Sequence, residues 1–176
     1  MLTLRAVTAV LAFACVALAC TPALDWREVR PQGAGLLALF PCKPAGHVRQ
    51  IVLAEIPVEM TIYACSAGGA TYAVGFADLG QAQQVERGLV ALAEAAARNI
   101  GSAPAAQAAP ARVPGMTPNP QAQRFSLAGR LADGRPVQEQ VAVFSRGTRV
   151  YQATVVGAEL GADAIDSFFG ALRLPG

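Results

Sequence analysis

Val58-Glu-Met-Thr-Ile-Tyr-Ala-Cys-Ser-Ala67, Gly68-Gly69 and Ala70-Thr-Tyr-Ala-Val-Gly-Phe76 follow one another without interruption: two runs rich in branched and aromatic residues around a glycine pair. Glycine takes positive φ without a steric penalty, so Gly68-Gly69 predicts a β-hairpin closed by a two-residue turn. Such a turn sets Cys65 opposite Tyr72, Tyr63 opposite Val74 and Thr61 opposite Phe76. Apolar side chains fall on both phases of the alternation, which places the hairpin inside a sheet with at least one face well covered. An antiparallel sheet is therefore the frame on which the remaining segments are read.

On the N-terminal side, Trp26 to Val29 opens the domain, and Leu36-Leu-Ala-Leu-Phe40 reads as a strand ended by Pro41. His47 to Leu53 is a further strand, separated from Val58 by Glu55-Ile56-Pro57. On the C-terminal side the period changes. Val85, Leu89, Leu92, Ala96 and Ile100 recur at three- and four-residue steps, while Arg87, Glu94 and Arg98 fall largely elsewhere, which predicts an amphipathic helix over 81–100 lying on the sheet. Residues 101–121 then carry Pro104, Pro110, Pro114, Pro118 and Pro120 with one charge, Arg112. Prolines at that spacing exclude helix, so a long, mobile surface loop is expected.

The last third reads as three strands and a helix. Taking Asp133-Gly134-Arg135 as a three-residue loop sets Leu131 opposite Val137, Leu127 opposite Val141 and Phe125 opposite Val143, gathering the large apolar side chains on one face. Arg146-Gly147-Thr148 read in the same way puts Tyr151, Ala153 and Val155 on that face too. Ile165, Phe168, Phe169 and Leu172 mark the closing helix, with Asp163 and Asp166 near its start and Arg173 at its end, in keeping with the helix dipole. Both halves thus run strands first and helix last, with no residue-level repeat. The predicted fold class is α+β: an antiparallel β-sheet with two packed α-helices, after an N-terminal signal segment.

That segment begins Met-Leu-Thr-Leu-Arg5, runs uncharged from Ala6 to Ala19 and meets Cys20. One positive side chain followed by an apolar run of about 14 residues is a secretory pattern. At 1.5 Å per residue the run spans roughly 21 Å, short of a bilayer core of about 30 Å. Val16-Ala17-Leu18-Ala19-Cys20 resembles a bacterial lipobox, in which cleavage precedes an acylated cysteine. The competing reading is ordinary cleavage near Ala19, with Cys20 an incidental thiol. The expected organisation is a lipoprotein signal peptide over 1–19, a lipidated tether over 20–24 and a single domain over 25–176. Thr21 in place of an aspartate after the cysteine favours the outer membrane, facing the periplasm, over retention at the inner one.

Cleavage would remove Arg5 from the 14 basic side chains, leaving 13 against 12 acidic ones. The basic residues are arginines apart from Lys43, and they flank predicted turns rather than forming one face. Nucleic-acid binding, which needs a concentrated basic surface, is excluded. The expected partners are the membrane, through the lipid anchor, and an envelope protein.

At the two ends of the predicted domain, Leu39-Phe-Pro-Cys-Lys-Pro44 and Ile165-Asp-Ser-Phe-Phe-Gly-Ala-Leu-Arg-Leu174 resemble the entry strand and the closing helix of small exported bacterial lipoproteins of unknown function with a PsbP/Mog1-like α+β fold. The resemblance implies a binding or assembly role, by analogy of fold alone. It carries over no functional residue.

Chemistry offers little more. His47 is the only histidine, so a multi-histidine metal site is impossible and a Ser-His-Asp triad is disfavoured. Ser66 lies in no Gly-x-Ser-x-Gly elbow, and Gly33-Ala-Gly35 leads into a strand rather than a phosphate-binding helix. Glu55 and Glu59 are read as solvated turn residues. No catalytic, cofactor-binding or metal-binding residue is assigned. The alternative function is an exported hydrolase or redox protein using Cys42, Cys65 and His47, for which a thiolate–imidazole pair would be required. The expected fate of the two cysteines is a disulfide: they are the thiols left once Cys15 is cleaved away and Cys20 acylated, and export favours oxidation. Two buried free thiols are the remaining alternative.

Overall fold

The computed structural model describes residues 24–176; the predicted signal peptide, Cys20 and the chain as far as residue 23 lie outside the described residues. The glycine-pair hairpin forms as expected. Strand β4 (Ile56–Ala67) turns through Gly68 and Gly69, with φ of +58° and +78°, into β5 (Ala70–Asp78), and Cys65 faces Tyr72, Tyr63 Val74 and Thr61 Phe76. Around this pair the described residues build an α+β domain, mostly antiparallel sheet.

The other strands are β1 (Arg27–Val29), β2 (Ala38–Phe40), β3 (Ala45–Leu53), β6 (Ala108–Pro110), β7 (Gln123–Arg130), β8 (Pro136–Arg146) and β9 (Arg149–Gly157). The seven from β3 onward form one antiparallel sheet in the order β3-β4-β5-β9-β8-β7-β6, while β1 and β2 pair as a separate ribbon. Helices α1 (Val85–Asn99) and α2 (Ala162–Gly170) each follow a central strand. They pack on opposite faces of the sheet. Val85, Leu89, Leu92 and Ala96 of α1 join Phe125, Leu127, Val141 and Val143 in one core; Phe168 and Phe169 of α2 join Tyr72, Val74, Phe144 and Tyr151 in the other. The ribbon completes the second core, where Phe168 meets the edges of Phe40 and Tyr72, each at 5.5 Å between ring centroids, and Tyr151 donates its hydroxyl to the Ala34 carbonyl at 2.7 Å.

Two covered faces explain why β5, β8 and β9 read as nearly continuous apolar runs. They also explain where turn reasoning goes astray. The β7–β8 loop is Ala132-Asp133-Gly134, with Gly134 at φ +84°, so Leu127 faces Glu139 and Phe125 faces Val141. The expected register is off by two residues, which leaves every side chain on its expected face. The β8–β9 turn is tighter, Gly147-Thr148 with Gly147 at φ +57°, and pairs Arg146 with Arg149 and Phe144 with Tyr151. That one-residue shift puts Tyr151, Ala153 and Val155 on the face opposite Phe125 and Val143, contrary to expectation. Glycine in the first central position suits a two-residue type II′ turn, and with both faces apolar the sequence pattern alone does not select the phase.

Two other segments depart from their readings. The β3–β4 turn is Ala54-Glu55, and Pro57 belongs to the strand; β5 pairs β4 only from Thr61, so the missing proline donor lies where β4 has a single neighbour. Residues 101–121 remain mostly irregular, yet they are fastened. Strand β6 pairs with β7, Ala111 and Val113 are buried, Thr117 N donates to Ser145 O at 2.7 Å, and Pro114 O accepts from Leu174 N at 2.8 Å. Arg173 lies beyond α2, where its backbone exchanges hydrogen bonds with Leu37 and its guanidinium meets Glu28 at 3.1 Å.

Candidate functional site

The α1 helix is amphipathic and sits over β8 and β9. Gly88 lets the helix pack closely on the chain that follows β5: a Cβ there would lie 2.6 Å from Leu79 Cδ1. Because the helix is narrower than the sheet, it leaves β4 and β5 partly uncovered toward the β3 edge. The result is a groove of about 580 Å³ between α1 and that half of the sheet. Ala91, Leu92 and Ala95 form its helical wall, and Ile51 and Leu53 of β3 the opposite one. Met60, Ile62, Ala73 and Gly75 make an apolar floor, hollow because β5 contributes only a methyl group and a hydrogen.

At the inner end of this floor stand three polar side chains. Gln152 donates through Nε2 to Thr154 Oγ1 at 3.1 Å, and Glu139 on β8 shares that face, diagonal to Thr154 across the strand pair. Glu139 is 6% exposed, with Leu127 and Val156 as its neighbours across the two adjoining strands. Its Oε2 has no hydrogen-bond partner. Burial pushes its carboxyl up to about 7, because the charged form has lost its water and gained no cation in exchange. Native structures leave few buried polar atoms unpaired, and a carboxyl in that state on a residue lining a groove is a functional signal. Arg49 on β3 and Arg98 on α1 line the same groove; Arg98 pairs with Glu94 at 3.3 Å.

The residues singled out from sequence fall elsewhere. Cys42 and Cys65 are brought together, with Cα atoms 6.0 Å apart and sulfurs 2.07 Å apart, compatible with a disulfide joining the chain after β2 to β4. His47 is exposed on β3, opposite Ile62. Glu59 accepts from Gln50 at 3.4 Å, Glu55 sits in the β3–β4 turn, and the Ser66 hydroxyl meets that of Thr71 at 2.8 Å across the hairpin. A paired Cys42 and Cys65 present no thiolate to His47. Among the described residues no group of three or more His, Cys, Asp and Glu gathers as metal ligands, and no helix is long and apolar enough to cross a membrane.

Sequence reasoning misses Glu139. The signal is present all the same, since Val137, Glu139, Val141 and Val143 share one phase of a strand whose odd positions read as inward-facing. No family model and no curated protein matches the chain.

Proposed function

We propose that the protein is a lipoprotein of the bacterial envelope, anchored through acylated Cys20 at the outer membrane and facing the periplasm, with a non-catalytic binding role exercised in the α1 groove. The observation that carries the binding role is the unpaired Glu139 carboxyl in the floor of an open, mainly apolar groove. Grooves of this size that combine apolar lining with a few convergent polar groups are the usual form of a small-molecule site. The Val16–Cys20 motif supports the anchor, and the PsbP/Mog1-like resemblance supports binding over catalysis by analogy.

Two measurements test the two parts. Metabolic labelling with palmitate should mark the wild-type chain and not Cys20→Ser; a mature protein that starts elsewhere and carries no label contradicts the anchor. Nile red, a neutral apolar dye, should brighten on the full chain, and Ala95→Trp, which fills the groove from its helical wall, should abolish the effect. Equal brightening of both chains, or none with either, contradicts the groove as a binding site.

A further inference from the structure

We propose that the ligand of the α1 groove is an amphiphilic amine, its apolar body lying on Met60, Ile62 and Ala73 and its ammonium bound by Glu139. The inference rests on the binding role proposed above and adds the chemistry of the ligand.

Three observations select an ammonium head. The unpaired Oε2 of Glu139 is an acceptor buried at the inner end of the groove, and a carboxylate is acceptor-only. Nothing adjoining supplies its counter-ion: Leu127 and Val156 flank it across the strands, and Gln152 spends one amide hydrogen on Thr154. An ammonium carries three donors, so Glu139 and Thr154 Oγ1, diagonal neighbours on the groove-lining face of β8 and β9, offer it complementary acceptors beside an apolar channel. An anionic head would instead have to choose Arg49 or Arg98. Both are exposed, and Arg98 is already engaged by Glu94. Charge pairs in water contribute little, whereas a buried charge-assisted hydrogen bond is about twice as strong as a neutral one. The buried acceptor therefore decides the head group.

Binding should also follow pH. Alkylammonium groups stay charged across the neutral range, whereas burial pushes Glu139 up to about 7. The other charged side chains lining the groove are Arg49 from β3 and Arg98 from α1, and Glu139 is the one carboxyl among the lining residues.

Calorimetric titration of the full chain with hexylamine, hexanoate and hexanol at pH 8 tests the proposal, since these differ mainly in the head group. Hexylamine should bind at least about tenfold more tightly than the other two, a preference that corresponds to one charge-assisted hydrogen bond. Glu139→Gln should erase that preference, and wild-type affinity for hexylamine should weaken at pH 5.5. Hexanol or hexanoate binding as tightly as hexylamine, or a preference that survives in Glu139→Gln, overturns the amine while leaving the groove a binding site. Failure of all three probes together with Nile red overturns both.

Discussion

Glu139 sits where the strand pattern asks for a valine, and its stability consequence has a definite sign. In the unfolded chain the carboxyl ionises near its ordinary value of 4.5; in the fold burial holds the proton until about 7. Between these values the folded state binds more protons, so stability falls as pH rises through the window and is lowest above it. At 1.36 kcal/mol per unit the loss by pH 8 is about 3 kcal/mol. Denaturant unfolding should show the wild type losing that amount between pH 4.5 and pH 8 relative to Glu139→Gln; parallel profiles for the two chains would contradict an unpaired Glu139. Ala54 and Glu55 are the other residues that depart from local preference, both at positive φ (51° and 68°) in a two-residue turn. That conformation costs about 1 kcal/mol or more for a side-chain-bearing residue, and Asn-Gly is its natural occupant. Replacing the pair by Asn-Gly should raise stability by about 1 kcal/mol, read as a higher denaturant midpoint with unchanged slope. Neither feature stands out by residue type alone: Glu139 needs the strand phase to be noticed, and Ala54-Glu55 carries no turn chemistry at all.

Among the elements, legibility follows how much the local chemistry constrains each one. Gly68-Gly69 admits one turn, and its three predicted cross-strand pairs are those observed. Helix α1 is equally plain, because Val85, Leu89, Leu92, Ala96 and Ile100 are all buried along one face. Gly134 and Gly147 each leave more than one loop length open, hence the two-residue slip at one turn and the inverted face at the other. The proline-rich segment misleads for a different reason. Its prolines exclude helix, but they do not prevent side chains such as Ala111 and Val113 from docking or backbone groups from bonding to Ser145 and Leu174. Gly115 marks the tightest point: its φ is +83°, and a Cβ there would collide with the Leu174 carbonyl oxygen. Gly115→Ala should therefore destabilise the fold by about 2–4 kcal/mol in denaturant unfolding, where a freely mobile loop would show no change. Hydrogen exchange adds a second reading: the Thr117 amide should be protected to a degree comparable with the sheet.

For the molecule as a whole, the sequence conveys the class and, apart from β6, the order of strands and helices, but not that the helices lie on opposite faces. That arrangement depends on α1 and α2 choosing between two apolar faces, which single-segment periodicity does not resolve. It is also what creates the groove, since one narrow helix covers only part of a seven-stranded sheet. The Cys42–Cys65 link acts at this scale too, tying the ribbon side to the main sheet across a sequence separation of 23. Replacing both cysteines by serine should lower stability by about 3 kcal/mol in the chain-entropy account, measured against the oxidised wild type. The groove itself is tested most directly by methyl NMR of the full chain titrated with hexylamine at pH 8. The methyl groups of Met60, Ile51 and Ile62 should shift together and saturate, while Val155 in the opposite core and Val48, 58% exposed on β3, stay unmoved. Shifts confined to Val48, or spread evenly over both cores, would contradict a ligand site between α1 and the sheet.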